Sequence, residues 1–424
     1  MKRKIAAVLS CTLALSMCSM PALAASNDTP SRPVVEQLSG VLTAGHPDPV
    51  KAEESKPDAE GTLSFGNLKS RMLENNKNLL MLEENIAAVE AIDYDKLADD
   101  LRDQLNDTAN LQWLNIKYIK DSYTGSTLSQ AYDALKDAYD DLKDGKTQKD
   151  NADTIKMLKN TENQVLMAGE SLYVALQDMT RSEEQLQRQL KSMDRTVQEM
   201  ELRYSLGQIS ALQLEQVKSG RTSLVSGINT LQMNIKTCNM QMQMMLGLPL
   251  SDNLALGVLP QVTAEQLNAM ELDKDLASAK AASYQLLDAQ NTLDDAKESF
   301  DDAGDEYHHN PSKYQYVAAQ HVWQAAQYQY TATVETYEAN FRSLYLQVKD
   351  YKQVLDAAQV ALQLEKSNFN SVQTKYNQGS ISYNELLNAQ DDVAEAEDKV
   401  ASAQVNLFSA YNNYRWAVQY GILN

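Results

Sequence analysis

The sequence predicts an all-α protein made of two tandem, long antiparallel coiled-coil hairpins. Its 424 residues include only 15 Gly and 9 Pro, a composition that favours long helices over many short strands. Apolar residues of the C-terminal segment also recur in alternating steps of three and four, which is the spacing of a coiled-coil seam. The seam positions are Leu386, Ala389, Val393, Ala396, Val400, Ala403, Leu407, Ala410, Tyr414 and Ala417.

An internal duplication defines the two hairpins. The stretches RYSLGQISALQLEQ (203–216) and KYNQGSISYNELLNAQ (375–390) each contain a cationic residue, a Tyr, a Gly three positions on, and then Ile-Ser. A shift of 172 residues superposes the seams on both sides of these turns over roughly 80 residues, a periodicity typical of repeats. We therefore predict repeats over 63–250 and 251–424, whose arms of about 60 Å meet at the two glycines.

The N-terminal segment reads as an export signal. Three basic residues precede an apolar run, and Ala22-Leu23-Ala24 fits a signal-peptidase site, so we predict a signal peptide over 1–24. Cys18 lies in a sequence that only partly matches a lipid-attachment box. The Pro-rich, charged stretch 25–62 is predicted to be a disordered tether. Cys11 and Cys18 both lie within the predicted signal, which leaves Cys238. It lies on the first seam, so we interpret it as a small buried hydrophobe.

Between the first inner helix and the first long arm lies a charged insertion at about 93–160, which we predict to be helical. The segment 111–126 is a weak candidate for a strand. The formal net charge of the chain is −20, which disfavours binding to nucleic acid and to anionic lipid surfaces.

These turns and seams resemble those of the TolC-like outer-membrane efflux proteins, over nearly all of 63–424. The specific feature is the repeated (R/K)-(F/Y)-x-x-G-x-x-(S/T) segment. The resemblance implies a homotrimer that forms an α-helical barrel or tunnel, a membrane-fusion adaptor that docks on the turns, and an ABC-type or other membrane pump. The implied docking residues are Arg203, Tyr204, Ser205, Leu206, Gly207, Lys375, Tyr376, Asn377, Gln378 and Gly379.

The family also places acidic residues just past the second turn, where they narrow the tunnel. Glu385 occupies the first of these positions here, whereas Asn388 occupies the second, so the implied constriction has only one acidic member. No cofactor and no metal are implied.

One expected family feature has no sequence to form it. Members that cross an outer membrane carry two strands per repeat between the inner helix and the long arm, and such a pair needs about 20 residues plus a turn. The second repeat offers only 301–313, with five charged residues, and the first lacks alternating polarity. We therefore predict that a transmembrane β-barrel is absent, and that the protein is exported to the envelope of a single-membrane bacterium.

Other readings remain open at this stage. A non-transporting coiled-coil scaffold or spacer would share the same pattern, and so would an outer-membrane channel whose short barrel is too weakly patterned to recognise. His308 and His309 adjoin several carboxylates, but their spacing fits an exposed polar loop better than a metal site. The sequence has no phosphate loop, nucleophile elbow or HExxH motif, so we predict that it is not an enzyme.

Overall fold

The computed structural model describes residue 58 and residues 61–250 and 254–423. The predicted signal peptide, Cys18 and the tether up to residue 57 lie outside the described residues. The predicted end of the tether needs correction. Thr62 belongs to a strand, and the Asp58 carboxylate accepts a hydrogen bond of 3.0 Å from the Asn67 side chain. Ordered structure therefore begins before residue 63.

Helices dominate the described residues, which confirms the predicted all-α class. Two short strands, β1 (Thr62–Leu63) and β2 (Ala255–Leu256), pair in parallel. No helix among these residues is both long and apolar enough to span a membrane. The helices are α1 (Phe65–Asn75), α2 (Lys77–Glu90), α3 (Tyr94–Leu114), α4 (Ser122–Lys143), α5 (Lys146–Ser205), α6 (Ala211–Met245), α7 (Ala264–Asn268), α8 (Leu272–Ala282), α9 (Tyr284–Tyr307), α10 (Tyr314–Asn377) and α11 (Tyr383–Tyr420), with a π-helical segment at Asn115–Ile119.

The segment 111–126, a weak strand candidate within the insertion predicted to be helical, contains no strand. This segment contains the end of α3, the π-helical turn and the start of α4. Its two Ile and two Tyr are too few and too irregularly spaced to outweigh the helical pattern on either side.

The chain divides into two compact units, and each unit contains segments of both predicted repeats. Among the described residues, one unit contains Leu82–Lys159 and Leu286–Thr331, and the other contains Asn160–Gln285, the residues from 332 onwards and those before Leu82. The second unit holds both hairpin turns.

The second unit has its core along the predicted seams. Every seam position of α11 is buried or half-buried, as is every equivalent position of α6. Aromatic side chains fill the end of this core that is distant from the turns. The Phe65 ring packs edge-on against Phe408 and Tyr173, with ring centres 4.9 and 5.5 Å apart.

The two short strands are joined by one tyrosine. The Tyr173 hydroxyl lies 3.0 Å from the Leu63 carbonyl oxygen and 2.7 Å from that of Gly257. Tyr173 is fully buried. Its hydroxyl hydrogen, directed at these two carbonyl oxygens, offsets the cost of removing them from water.

The inner helix of each repeat is broken at a buried polar residue. Asn76 separates α1 from α2, and Ser283 separates α8 from α9, both with nearly identical extended backbone angles. A left-handed glycine packs against each break. A Cβ on Gly247 would lie 2.6 Å from the Asn75 carbonyl oxygen, and one on Gly421 would lie 2.3 Å from the Ser283 Cα. Both positions therefore require glycine.

An ion pair lies within this core. Glu170 on α5 and Arg415 on α11 are each about 3% exposed, and their Oε2 and Nη2 atoms are 2.7 Å apart. The same Glu170 oxygen accepts hydrogen bonds from the Asn412 amide and the Trp416 indole, at 2.8 and 2.5 Å. Three donors therefore converge on one buried carboxylate oxygen.

Candidate functional site

The candidate site consists of the two turns that end the hairpins, here called the first tip (residues 202–212) and the second tip (residues 374–384). In each tip a glycine adopts a left-handed conformation with φ +70°. Gly207 N–H donates to the Tyr204 carbonyl and Gln208 N–H to that of Arg203, both at 2.9 Å. Gly379 and Ser380 make the same pair of bonds in the second tip. This Schellman arrangement satisfies the last carbonyls of the long arm.

The serine of the repeated motif begins the return helix. The Ser210 hydroxyl accepts from Gln213 N–H, and the Gln213 side-chain oxygen accepts from Ser210 N–H at 2.9 Å. Ser382 and Glu385 form the same capping box in the second tip. In each tip, the Gly of the repeated motif therefore ends the long arm and the Ser begins the return helix.

The two tips share a backbone but differ in side-chain chemistry. The first tip exposes three leucines, Leu202, Leu206 and Leu212, at 61%, 63% and 68%. The shift of 172 residues places Thr374, Gln378 and Asn384 at the equivalent positions. At these three positions the first tip is consequently apolar and the second tip is polar.

Other predicted docking residues lie on the same surfaces. Arg203, Tyr204 and Ser205 are exposed, and the Arg203 guanidinium pairs with Glu199 one turn earlier. In the second tip, the Tyr376 and Tyr383 rings pack with their centres 5.9 Å apart. Lys375, Asn377 and Gln378 lie beside this pair and are exposed.

Polar contacts between α5 and α11 hold the two hairpins together. Arg188 pairs with Asp398, and Arg195 pairs with Asp391. A third arginine, Arg181, donates to the Asp398 backbone carbonyl at 2.8 Å. The three arginines are seven residues apart, so they face α11 from successive heptads of a coiled coil. The apolar seams do not predict this interface, whereas the regular spacing of the arginines is a sequence signal for it.

Glu385 serves first as a capping residue. Its carboxylate accepts from Ser382 N–H at 2.7 Å and from the Ser382 hydroxyl at 2.9 Å. The backbone hydrogen bond from Ser382 lowers the pKa of Glu385 below its usual value. Gln213 caps the first tip without a charge, so the cap alone does not require an acid here. Asn388 lies three residues further along α11 and is exposed.

Three other residues have simple structural roles. Arg221, which interrupts the first seam, forms an ion pair with Asp194 on the facing arm. Cys238 is half-buried rather than fully buried, and burial raises the pKa of its thiol, which lowers its reactivity at neutral pH. His309 packs against Tyr316. Among the described residues, no three His, Cys, Asp or Glu side chains cluster in a way that could hold a metal ion.

Comparison with solved structures confirms the predicted TolC-like fold. The chain resembles the outer membrane protein VceC from Vibrio cholerae, with a TM-score of 0.50 and 13% identity, over 84% of this chain and 96% of that one. It also resembles a membrane protein from Pseudomonas aeruginosa, with a TM-score of 0.52 and 10% identity, over 94% and 97% of the two chains. At these identities the likeness establishes the fold. No protein-family model and no curated protein matches the sequence.

Proposed function

We propose that this protein is an exported subunit of a helical tunnel in the bacterial cell envelope. In this proposal its two tips dock on a membrane-fusion adaptor that works with an ABC-type or other pump. The observation that carries the proposal is the pair of superposable, solvent-exposed hairpin tips on a TolC-like fold. Three exposed leucines on one short turn are costly to leave in water, so they favour a partner surface at that point.

Assembly into a homotrimer is part of this proposal and is supported by the internal repeat. The 172-residue shift relates α5 to α10 and α6 to α11. The interface between α5 and α11 of one chain is therefore expected to have an equivalent, formed by α10 of one copy and α6 of another. On α10, Val354, Val360 and Leu364 are exposed. Val360 and Ser367 replace Arg188 and Arg195, while Ser219 and Ser226 replace their acidic partners. Copies in a closed ring would cover these exposed side chains, and the TolC-like resemblance implies three copies.

The first tip would supply the main apolar contact with the adaptor. Leu206 is its most central exposed leucine, because it lies directly before the left-handed glycine. The second tip would contribute polar contacts through Lys375, Asn377 and Gln378. Two tips of equal shape and unequal chemistry fit two different surfaces of one adaptor ring.

Glu385 and Asn388 are proposed to line the narrow end of the tunnel. They are three residues apart on α11, so they lie on one face of the helix. The Glu385 side chain is a carboxylate at neutral pH, and the capping bond lowers its pKa further. A carboxylate there would favour the passage of cations over anions.

Site-specific photocrosslinking in cells tests the docking proposal. A photoreactive amino acid at Leu206 or Gln378 is expected to capture one adaptor protein, and the same group at Thr292, an exposed position in the other unit, is expected not to capture it. If neither tip position captures an adaptor while the protein is exported and folded, the docking proposal is wrong.

A non-transporting envelope scaffold is the second candidate, because both the apolar tip and the exposed α10 face could hold a static partner. The two functions are separated by a transport assay. Loss of the gene should reduce export of at least one compound if the protein is a tunnel subunit. The Leu206→Asp variant should then fail to restore that export. Unchanged export in the deletion strain favours the scaffold.

A further inference from the structure

The α3–α4 hairpin has a highly exposed end that the proposed tunnel function does not use. The two helices pack on each other, and α3 has no buried residue. Half-buried positions on α4 recur in steps of three and four, at Leu128, Tyr132, Leu135, Tyr139 and Leu142, where Leu142 is fully buried. With 21 residues in α3, the hairpin extends its turn about 30 Å from its base.

The turn is built to hold one conformation. Asn115 is 3% exposed, and its amide donates to the Asp121 carbonyl at 3.0 Å while its oxygen accepts from Asp121 N–H at 3.3 Å. Lys120 takes a left-handed conformation with φ 55°, and the Asp121 carboxylate caps α4 by accepting from Thr124 N–H at 2.9 Å. Polar side chains thus fix the turn from inside.

Large apolar side chains surround this fixed turn. Seven of them are exposed within 13 positions, and they are here called the apolar cap. Ile116 and Tyr123 are the most exposed, at 73% and 82%. A contiguous apolar surface of this kind marks an interaction site. The cap consists of Leu111, Trp113, Leu114, Ile116, Tyr118, Ile119 and Tyr123.

The cap is not a stripe, because it covers every side of the helix end except the one where Gln112 is half-buried and Asn115 is buried. Successive residues of an α-helix are about 100° apart, so positions 111, 113, 114 and 116 point in four different directions. A groove on a protein surface would take up one face of a helix. An apolar medium that surrounds the helix end can take up all of its faces.

The local charge of the cap is opposite to that of the chain. From residue 108 to residue 132 the charged residues are Lys117, Lys120 and Asp121, a net charge of +1 in a chain of −20. The parts of α3 and α4 nearer the base are acidic, with six aspartates and two basic residues in 93–107. An anionic surface would therefore attract the end of the hairpin and repel its shaft.

Aromatic rings and lysine are arranged as they are at a membrane–water interface. The Lys117 ammonium lies 4.3 Å from the centre of the Trp113 ring and 5.1 Å from that of Tyr118. The two rings meet edge to face at 6.1 Å. Trp and Tyr favour the headgroup level of a bilayer, where lysine stems lie along apolar surface and the ammonium remains in water.

From these observations we infer that the apolar cap inserts into the interfacial layer of a lipid bilayer that contains anionic headgroups. The insertion is shallow, within the 5–10 Å typical of interfacial segments, because the acidic shaft stays outside. The inference does not depend on the proposed transport function, since it concerns a different unit of the chain from the tips.

Tryptophan quenching by brominated phospholipids tests the inference on the full chain. The three Trp are residues 113, 323 and 416, and Trp416 is fully buried. We expect vesicles of brominated phosphatidylcholine and phosphatidylglycerol to quench the wild-type fluorescence and to leave that of Trp113→Phe unquenched. The residues before 58 contain no Trp, so any binding through the N-terminal apolar run does not produce this signal.

Two variants and a control identify which side chains are responsible for binding to the vesicles. Ile116→Ser/Ile119→Ser should weaken partitioning more than tenfold, and Lys117→Gln should weaken it about fivefold on anionic vesicles only. Val258→Ser/Val322→Ser removes two other apolar side chains that are also more than half exposed, and it should have no effect. Absence of Trp113 quenching, or quenching unchanged by the double isoleucine variant, overturns the inference. In either case a protein partner becomes the better occupant of the cap.

Discussion

The buried Glu170–Arg415 pair offers a direct test of how the second unit is held together. Replacing Glu170 with Gln preserves the volume of the side chain but leaves the Arg415 guanidinium, 3% exposed, without its counter-charge. Removing one member of a buried pair costs about 3–5 kcal/mol. We expect Glu170→Gln to destabilise the protein by that amount.

The expected change in melting temperature follows from the size of the chain. An unfolding entropy of about 2.1 cal/mol/K per residue, over about 360 described residues, gives roughly 0.75 kcal/mol/K. The loss of stability then lowers the melting temperature by about 4–7 °C, which differential scanning calorimetry resolves easily.

A double-mutant cycle separates loss of the pair from loss of packing. Arg415→Met leaves the Glu170 carboxylate with the Asn412 and Trp416 donors but without a cation. The double variant Glu170→Gln/Arg415→Met has no buried charge, so it should melt above at least one of the single variants. A Glu170→Gln melting temperature within about 1 °C of wild type, or strictly additive effects in the double variant, would refute this account of the core.

Three further predictions concern the tips and the other unit. Gly207→Ala and Gly379→Ala should each lower the free energy of unfolding by about 1–2 kcal/mol in urea titrations, since both positions have φ +70°. Gly220→Ala, within α6, is the control. It should be neutral or stabilising, because its Cβ would make only an ordinary contact with Met193 at 3.9 Å. Leu206→Asp should abolish photocrosslinking of the adaptor from a probe at Gln378, whereas Gln378→Asp should reduce crosslinking from Leu206 only partly; equal effects would contradict the assignment of the first tip as the main contact. Burial raises the pKa of Asp294 above 3.8, so the folded state binds this proton more tightly than the unfolded state does. Above that pKa the ionised carboxylate destabilises the folded protein. Asp294→Asn should therefore be more stable than wild type in urea unfolding at pH 7, and the difference should shrink as the pH falls towards 4; a difference that is constant with pH would show that the burial of Asp294 has no effect on its ionisation.

The parts of the fold that depend on local sequence were predictable. The steps of three and four along α10 and α11 follow from burial of one helix face, and Phe341, Leu344, Val348 and Leu355 are buried as that spacing requires. Gly207 and Gly379 identified both tips, because the left-handed conformation leaves few other choices of residue.

The parts that depend on contacts between distant residues were not predictable. Asn76 and Ser283 carry no strong helix-breaking signal of their own, and each break depends on a glycine more than 130 residues away along the chain. Glu170 and Arg415 are separated by 245 residues, and each looks like an ordinary surface residue in its own helix. The apolar residues of 111–126 also fit a weak strand candidate, because hydrophobicity alone does not show that a side chain is exposed.

The turn geometry of the tips has an evolutionary consequence. Each tip is closed by backbone hydrogen bonds and a capping box among its own residues, and the side chains of Leu206 and Gln378 take part in none of them. Substitution at these positions therefore changes what the surface can recognise and leaves the turn itself intact. An internal duplication begins with two identical tips. Because the residues that close the turn differ from those that recognise a partner, one tip can acquire a new specificity while the other keeps the old one. The leucines of the first tip and the polar residues of the second are the record expected of such divergence.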